Sequence, residues 1–283
     1  MTNLIDGKGI AAELRAKCAE IVSNLISNGI VPKLAVIIVG DDPASHQYVN
    51  SRAADCKAVG MDSTVYELPS DTTQSELISL LEQINADPKI HGILLQMPLP
   101  IHMNPDEVVV HISRDKDVDG LHPINIGMLG SDKPSFAPCT PSSIMQLIKS
   151  TGVPIRGKNA VVVGRSNVVG KPAAMLLLQE NATVTICHSK TVDLKEHTMQ
   201  ADILVAAVGV PGLITGDMIK PGAIVIDAGI NRVDGKTVGD VDFESAKEVA
   251  GAITPVPGGV GPVTRTILLM HTLDAAERIN AGN

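Results

Sequence analysis

Several residues in this chain have the type and spacing to handle charge, protons or an anion. The stretch RDKDVDGLHPIN (114–125) places Asp115, Asp117 and Asp119 within five residues, directly ahead of Gly120. This looks like half a calcium loop, but it lacks the DxDxDG ladder and the glutamate at the twelfth position. No metal is therefore expected, and an acid offered to a cationic or amide-rich ligand is the better use. Gln96 closes GILLQ (92–96), at the carboxyl end of a strand, where α/β sheets place their ligands; an amide that only satisfies loop backbone would fit the same position. Tyr48 and Arg52 are four residues apart in DDPASHQYVNSRAADCKAVG (41–60), so a helix there puts both on one face. The chain has only two tyrosines, although an ordinary surface pair would have the same spacing.

A second group points to a nucleotide. NAVVVGRSNVVGKPAAMLLL (159–178) reads as a strand, a glycine-bearing turn and a helix. Gly164 ends the strand, Gly170 permits close helix–strand packing, and free N–H groups at the helix start can face an anion. The spacing G-R-S-x-x-V-G is not GxGxxG, so by itself it also suits a structural turn. The next strand ends at Cys187-His188-Ser189-Lys190. An NAD site would usually place Asp or Glu there, on the ribose hydroxyl. Hydroxyl and basic groups stand there instead, and Arg165 lies in the first turn. That pair suits a 2′-phosphate and favours NADP, although a plain turn residue and a solvated charge would explain either one singly.

The elements needed to position these groups are legible. LAVIIVG (34–40), GILLQ (92–96), NAVVVG (159–164), ATVTIC (182–187), DILVAAVG (202–209) and GAIVIDAG (222–229) all read as strands buried on both faces. SELISLLEQI (75–84) and KPAAMLLLQE (171–180) have helical spacing between them. Repeated strand–helix units imply parallel sheets covered by helices. Asp42 reads as the N-cap of the 41–60 helix, followed by Pro43, and Gly60 marks its end. A seam is expected near residue 140, with Thr140 capping a helix that starts at Pro141. After the Pro/Gly loop PVPGGVGP (255–262), a last helix over 264–279 could return to the first domain. The expected fold is α/β with two domains. An N-terminal α/β substrate domain covers 1–139 plus 262–283, and a Rossmann-like parallel-sheet domain for NADP covers 140–261.

Composition narrows the function. The chain has 283 residues, 44% hydrophobic, enough for two ordinary domains with aliphatic cores. Aromatic residues are only 1%, so stacking platforms for bases are nearly lacking, and a net charge of −8 disfavours a nucleic-acid partner. The N-terminal sequence lacks the basic-then-apolar order of a signal peptide, and no run approaches a bilayer span. The four cysteines form no CxxC pair and read as small buried hydrophobes. A cytoplasmic enzyme with no membrane partner is expected.

Taken together, the segments resemble the methylenetetrahydrofolate dehydrogenase/cyclohydrolase family over essentially the whole chain. The resemblance is carried by DxxASxxYV (41–49), GILLQxPLP (92–100), KDVDG (116–120), CTP (139–141) and VVVGRSxxVGxP (161–172). It continues through CHSKT (187–191), KPGAIVIDAGIN (220–231), VGDV (238–241) and, most specifically, TPVPGGVGP (254–262). It implies NADP-dependent oxidation of 5,10-methylenetetrahydrofolate, followed by hydrolysis of the methenyl product to 10-formyltetrahydrofolate. Tyr48 would lie along the aminobenzoyl part of folate, and Gln96 and Asp119 would contact the pterin side. Gly164, Arg165, Ser166, Ser189 and Ile230 would bind NADP, with Arg165 and Ser189 at its 2′-phosphate. Pro257, Gly258, Gly259 and Pro262 would shape the wall between the two ligands. Members are typically homodimers.

One position departs from the family pattern. Where the family reads YVxxK, this chain reads Tyr48-Val49-Asn50-Ser51-Arg52. The lysine handles the proton in hydrolysis, whereas arginine keeps its charge, with a pKa above about 12. Lys57 lies on a different helical face. Dehydrogenation is therefore expected to survive and hydrolysis to be weakened, or lost in a dehydrogenase-only enzyme. The competing readings are another two-domain NADP oxidoreductase, for which no Lys–Asp catalytic pair is found, and a non-catalytic NADP-binding redox sensor.

Overall fold

The computed structural model describes residues 2–281, and of Pro43, Ala44 and Tyr48 it describes the backbone alone. The described chain begins with a two-residue strand, β1 (Asn3–Leu4), and helix α1 (Gly7–Ser27). There follow β2 (Lys33–Val39), α2 (Pro43–Ala58), β3 (Asp62–Leu68), α3 (Gln74–Ala86), β4 (Gly92–Leu95), α4 (Pro105–Val109) and α5 (Pro123–Leu129). Helix α6 (Cys139–Ser150) leads into β5 (Asn159–Val163), α7 (Gly170–Gln179), β6 (Thr183–Cys187), α8 (Leu194–Thr198), β7 (Ile203–Ala206) and β8 (Ile224–Asp227). A hairpin of β9 (Asn231–Val233) and β10 (Lys236–Val238), a short α9 (Phe243–Ala246), β11 (Ala252–Ile253) and the long α10 (Val260–Asn280) complete it. Among the described residues no helix is long and apolar enough to cross a membrane.

Two compact units result: Glu13–Ala137 with the residues from Arg265 onward, and Pro138–Thr264 with the residues up to Ala12. The first holds a parallel three-stranded sheet in the order β3-β2-β4. Its core sets Ile37, Ile93 and Leu95 against Leu77, Leu81 and Ile84, which recur at helical spacing along α3. Helix α3 starts at a capping box: Thr73 Oγ1 accepts from the Glu76 N–H, and the Glu76 carboxylate accepts from the Thr73 N–H at 2.8 Å. In α2 the Asp42 carboxylate accepts from the Ser45 N–H at 2.8 Å, which makes Asp42 the expected N-cap. Gly60, at φ 81°, follows the end of that helix.

The second unit holds a parallel sheet in the order β1-β11-β8-β7-β5-β6, with both neighbours of β5 fixed in register. From β5 the chain moves outward to β6, then crosses back to β7 on the other side of β5. That reversal is the topological switch point of a doubly wound fold.

Several elements differ from the sequence expectation. The expected first domain began at residue 1, but Asn3 and Leu4 pair with Ala252 and Ile253, so the N-terminal residues add an edge strand to the six-stranded sheet. A two-residue strand has no periodicity to detect. β6 is not buried on both faces: it lies at the sheet edge, and Thr183, Thr185 and Ile186 are exposed. β3 escaped detection because it is also an edge strand, and Asp62, Ser63 and Glu67 dilute its apolar pattern. Thr140 is not an N-cap: α6 starts at Cys139, with Pro138 in the cap position and no side-chain cap bond. α10 starts at Val260, not 264; Pro262 is tolerated because a first-turn N–H has no intrahelical acceptor to lose.

Candidate active site

Because every strand of the six-stranded sheet runs parallel, all its carboxyl ends open on one edge. Gly164–Ser166 follow β5, Ser189 follows β6, Ile230 follows β8 and Pro257–Gly259 follow β11. Sheet topology thus brings together segments that are far apart in sequence. Val163 is registered with Cys187, and the Gly164 N–H donates to the Cys187 carbonyl at 2.9 Å, so the two turns start side by side.

The turn after β5 is built for close approach of backbone. Gly164 has φ 133°, and a Cβ there would fall 2.2 Å from the Ala207 carbonyl oxygen. A Cβ on Gly170 would fall 2.2 Å from the Gly164 oxygen, so the first turn of α7 rests on the strand end. Ser166 Oγ accepts from the N–H groups of Val169 (3.1 Å) and Gly170 (3.3 Å), which gives this hydroxyl a helix-capping duty. Arg165 and Ser189 are both exposed. An exposed guanidinium, a neighbouring hydroxyl and a glycine cradle with no carboxylate at the end of β6 fit a dinucleotide bearing a 2′-phosphate. Ile230 is 65% exposed and available to lie against a ring. Gly258 has φ 112°, and a Cβ on Gly259 would meet the Pro255 oxygen at 2.6 Å, so this loop also presents bare backbone. Pro262 lies in the first turn of α10.

In the other unit, the acidic stretch is sorted by burial. Asp117 is 1% exposed and accepts from the N–H groups of His122 (2.8 Å) and Leu121 (3.2 Å) and from Asn125 Nδ2 (2.8 Å). Lys116 reaches the end of α3, where its ammonium donates to the carbonyls of Asn85 (2.8 Å) and Asp87 (2.7 Å); burial lowers its pKa. Both side chains serve the scaffold; Asp115 is exposed beside Arg114, and Asp119 is half-buried. Its loop is held on either side. The Val118 carbonyl lies 2.9 Å from His271 Nδ1, and Gly120, at φ 73°, packs so tightly that a Cβ would meet the Ala137 oxygen at 2.6 Å. Burial lowers the His271 pKa, which keeps the ring neutral with a proton to donate to that carbonyl.

Gln96 follows β4, its N–H bound to the Ile37 carbonyl at 2.8 Å. Its side-chain amide donates to the adjacent Met97 carbonyl at 2.7 Å and leaves its oxygen as an acceptor. The Ile93–Asp117 bridge places the acidic loop alongside β4, so Gln96 and Asp119 leave the same sheet edge. Arg52 is half-buried on α2. That helix is clamped by Arg265 of α10, whose guanidinium meets both Asp55 carboxylate oxygens at 2.7 Å. The Tyr48 side chain lies outside the described residues.

Comparison with known proteins identifies the chain. The family model described as tetrahydrofolate dehydrogenase/cyclohydrolase, catalytic domain, matches residues 5–119, and the NAD(P)-binding domain model of the same family matches residues 138–280. The chain belongs to this family. It is 57% identical over 276 residues to the bifunctional protein FolD of Moorella thermoacetica, covering 97% of this chain and 99% of that protein. It is 55% identical over 277 residues to that of Exiguobacterium sibiricum, covering 98% and 100%. Among solved structures, the bifunctional enzyme FolD from Campylobacter jejuni superposes with a TM-score of 0.96 at 47% identity, over 98% of this chain and 99% of that one. The enzyme from Trypanosoma brucei, solved with NADP cofactor and inhibitor, gives 0.93 at 39% identity, over 98% of each chain.

Within this family member, sequence reading missed the supporting residues: Arg265, His271, Asp227 and Asp240. Apart from the Asp227–Gly229 contact, their partners lie in other segments. The motifs KPGAIVIDAGIN and VGDV contain Asp227 and Asp240 but give no hint of what either aspartate holds.

Proposed function

We propose that the protein oxidises 5,10-methylenetetrahydrofolate with NADP to 5,10-methenyltetrahydrofolate, and carries the family's cyclohydrolase step to 10-formyltetrahydrofolate in weakened form. The observation that carries the reading is the sheet edge where Arg165 and Ser189 flank the Gly164 turn, in a chain whose two halves match the two domains of this family. NADP, when bound, supplies the hydride acceptor.

The chain's own residues orient and shield. Arg165 and Ser189 hold the 2′-phosphate, Gly164 and Ser166 shape the turn beneath the phosphates, and Ile230 packs on the nucleotide. The bare backbone of Pro257–Gly259, with Pro262 behind it, lets a flat ring approach. Asp119 and Gln96 fix the pterin by hydrogen bonds, with Tyr48 along the aminobenzoyl part. Loss of hydride from the methylene carbon needs this positioning and no protein base.

Hydrolysis adds water to the methenyl carbon and requires a proton to leave that water. Arg52 holds the folate but keeps its own protons near neutral pH, so it gives no general-base help. We further propose a cytoplasmic homodimer; sedimentation of the purified protein tests the dimer, and cell fractionation tests the location. A coupled assay that follows NADPH appearance and methenyl-folate decay in one sample tests the function. NADPH formation with methenyl-folate accumulating supports it, and NADP binding with no turnover would select the redox-sensor reading.

A further inference from the structure

Asp240 is fully buried at 0% exposure, yet donors from two separate loops converge on its carboxylate. Oδ2 accepts from the backbone N–H groups of Val208 (2.6 Å) and Gly209 (3.0 Å), at the start of the loop after β7. Oδ1 accepts from Asn231 Nδ2 at 2.9 Å, and Asn231 directly follows Ile230. Asp240 is itself fixed in place. Its N–H donates to Asp227 Oδ1 at 2.9 Å, and its carbonyl accepts from the Ile214 N–H at 3.0 Å. The Asp227 carboxylate also takes the N–H groups of Gly229 and Val241, each at 2.9 Å. Glycine is required at two contacts, because a Cβ on Gly229 would lie 2.3 Å from the Asp240 carboxyl carbon and one on Gly239 would lie 1.8 Å from Asp227 Oδ2. The loop after β7 borders the nucleotide turn, since the Ala207 oxygen is what a Cβ on Gly164 would strike.

We infer that Asp240 is a positioning residue for the dinucleotide site, tying the loop after β7 to the Ile230 loop so that both are ordered before the cofactor arrives. The inference rests on the reading of this sheet edge as the NADP site. Its physical basis is preorganisation: a loop already held need not lose conformational freedom on binding. A carboxylate suits the position because three donors converge on its two oxygens.

The test compares Asp240→Asn and Asn231→Ala with the unmodified enzyme, measuring NADP affinity directly by titration and both KM values kinetically. Losing a charge-assisted acceptor for buried donors predicts an NADP Kd raised about tenfold in Asp240→Asn, with the folate KM within about twofold. Asn231→Ala, which removes one donor and no backbone bond, should raise the NADP Kd about threefold with the same selectivity. Equal losses toward both substrates, or an unchanged NADP Kd in both variants, would overturn the proposal. If Asp240→Asn does not fold, Asn231→Ala alone decides between these outcomes. Failure of the unmodified protein to bind NADP would instead remove the cofactor reading on which the inference stands.

Discussion

Arg165 and Ser189 stand in matching places on adjacent parallel strands: each lies two residues beyond one member of the registered pair Val163–Cys187. A guanidinium and a hydroxyl separated by a whole helix in sequence are thereby delivered to neighbouring turns. On the proposed function, this juxtaposition is what would favour NADP over NAD. Arg165→Ala should raise the KM for NADP roughly tenfold or more, the scale of a lost charge-assisted hydrogen bond, and change the weak use of NAD little. Steady-state assays with both cofactors check it, and an equal loss with each would remove the 2′-phosphate assignment.

Asp117 and Asp119 are two residues apart and should respond in opposite ways. Asp117→Asn turns an NH2 toward at least one of the donors now bound, which should cost about 1–3 kcal/mol of stability. Asp119→Asn should alter stability by less than about 0.5 kcal/mol while damaging turnover and leaving NADP binding intact. Urea denaturation and single-turnover kinetics on the two variants separate these outcomes. Destabilisation by Asp119→Asn, or its rescue by divalent cations, would assign that residue to the fold or to a metal.

The proposed weakening of hydrolysis rests on Arg52. General acid–base help is worth roughly a hundredfold to ten-thousandfold, so methenyl-folate should accumulate during turnover of the unmodified protein. Arg52→Lys should speed hydrolysis and leave hydride transfer nearly unchanged, since the Asp55–Arg265 pair that holds the helix is untouched. The decay of methenyl absorbance above its buffer-catalysed rate is the readout. Rapid clearance by the unmodified protein would show that another group handles the proton.

Burial pushes the Asp227 carboxyl up from 3.8 to about 6, against the backbone N–H groups that favour its charged form. A raised carboxyl pKa means that the folded protein takes up a proton, between pH about 6 and about 4, that the unfolded chain does not. This group's contribution therefore makes the fold more stable as pH falls through that window and less stable above it, by on the order of 3 kcal/mol. Asp227→Asn abolishes the titration, so the unmodified protein should gain stability relative to the variant as the pH falls from about 7 to about 4.5. A stability difference that stays constant across the series would contradict the raised pKa.

The layout of the candidate site was largely legible because its residues belong to short local patterns. The glycine turn at 164–170, the hydroxyl and basic groups at 188–190, and the Pro/Gly loop at 255–262 each occupy one strand end. A strand end in a parallel sheet can be inferred from a β-branched run followed by glycine. The capped helix 41–60 was legible for the same reason, since Asp42, Pro43 and Gly60 act on backbone within a few residues.

The sequence by itself determined the strand–helix alternation, the positions of the strand ends and the identity of the groups placed there, because each depends on local sterics, capping or the burial of β-branched runs. Only the tertiary structure decided that Asp117, of the 115–119 cluster, belongs to the scaffold, because that depends on which acid the packing buries: Asp117 is enclosed by the N–H groups of Leu121 and His122 and by the Asn125 amide. It alone set β6 and β3 at sheet edges, added the N-terminal strand to the far edge of the larger sheet, and joined Asp240 to loops some thirty and nine residues earlier. These pairings join separate segments, their free energy comes from burying donors and acceptors together, and no local pattern in one segment names its partner in the other.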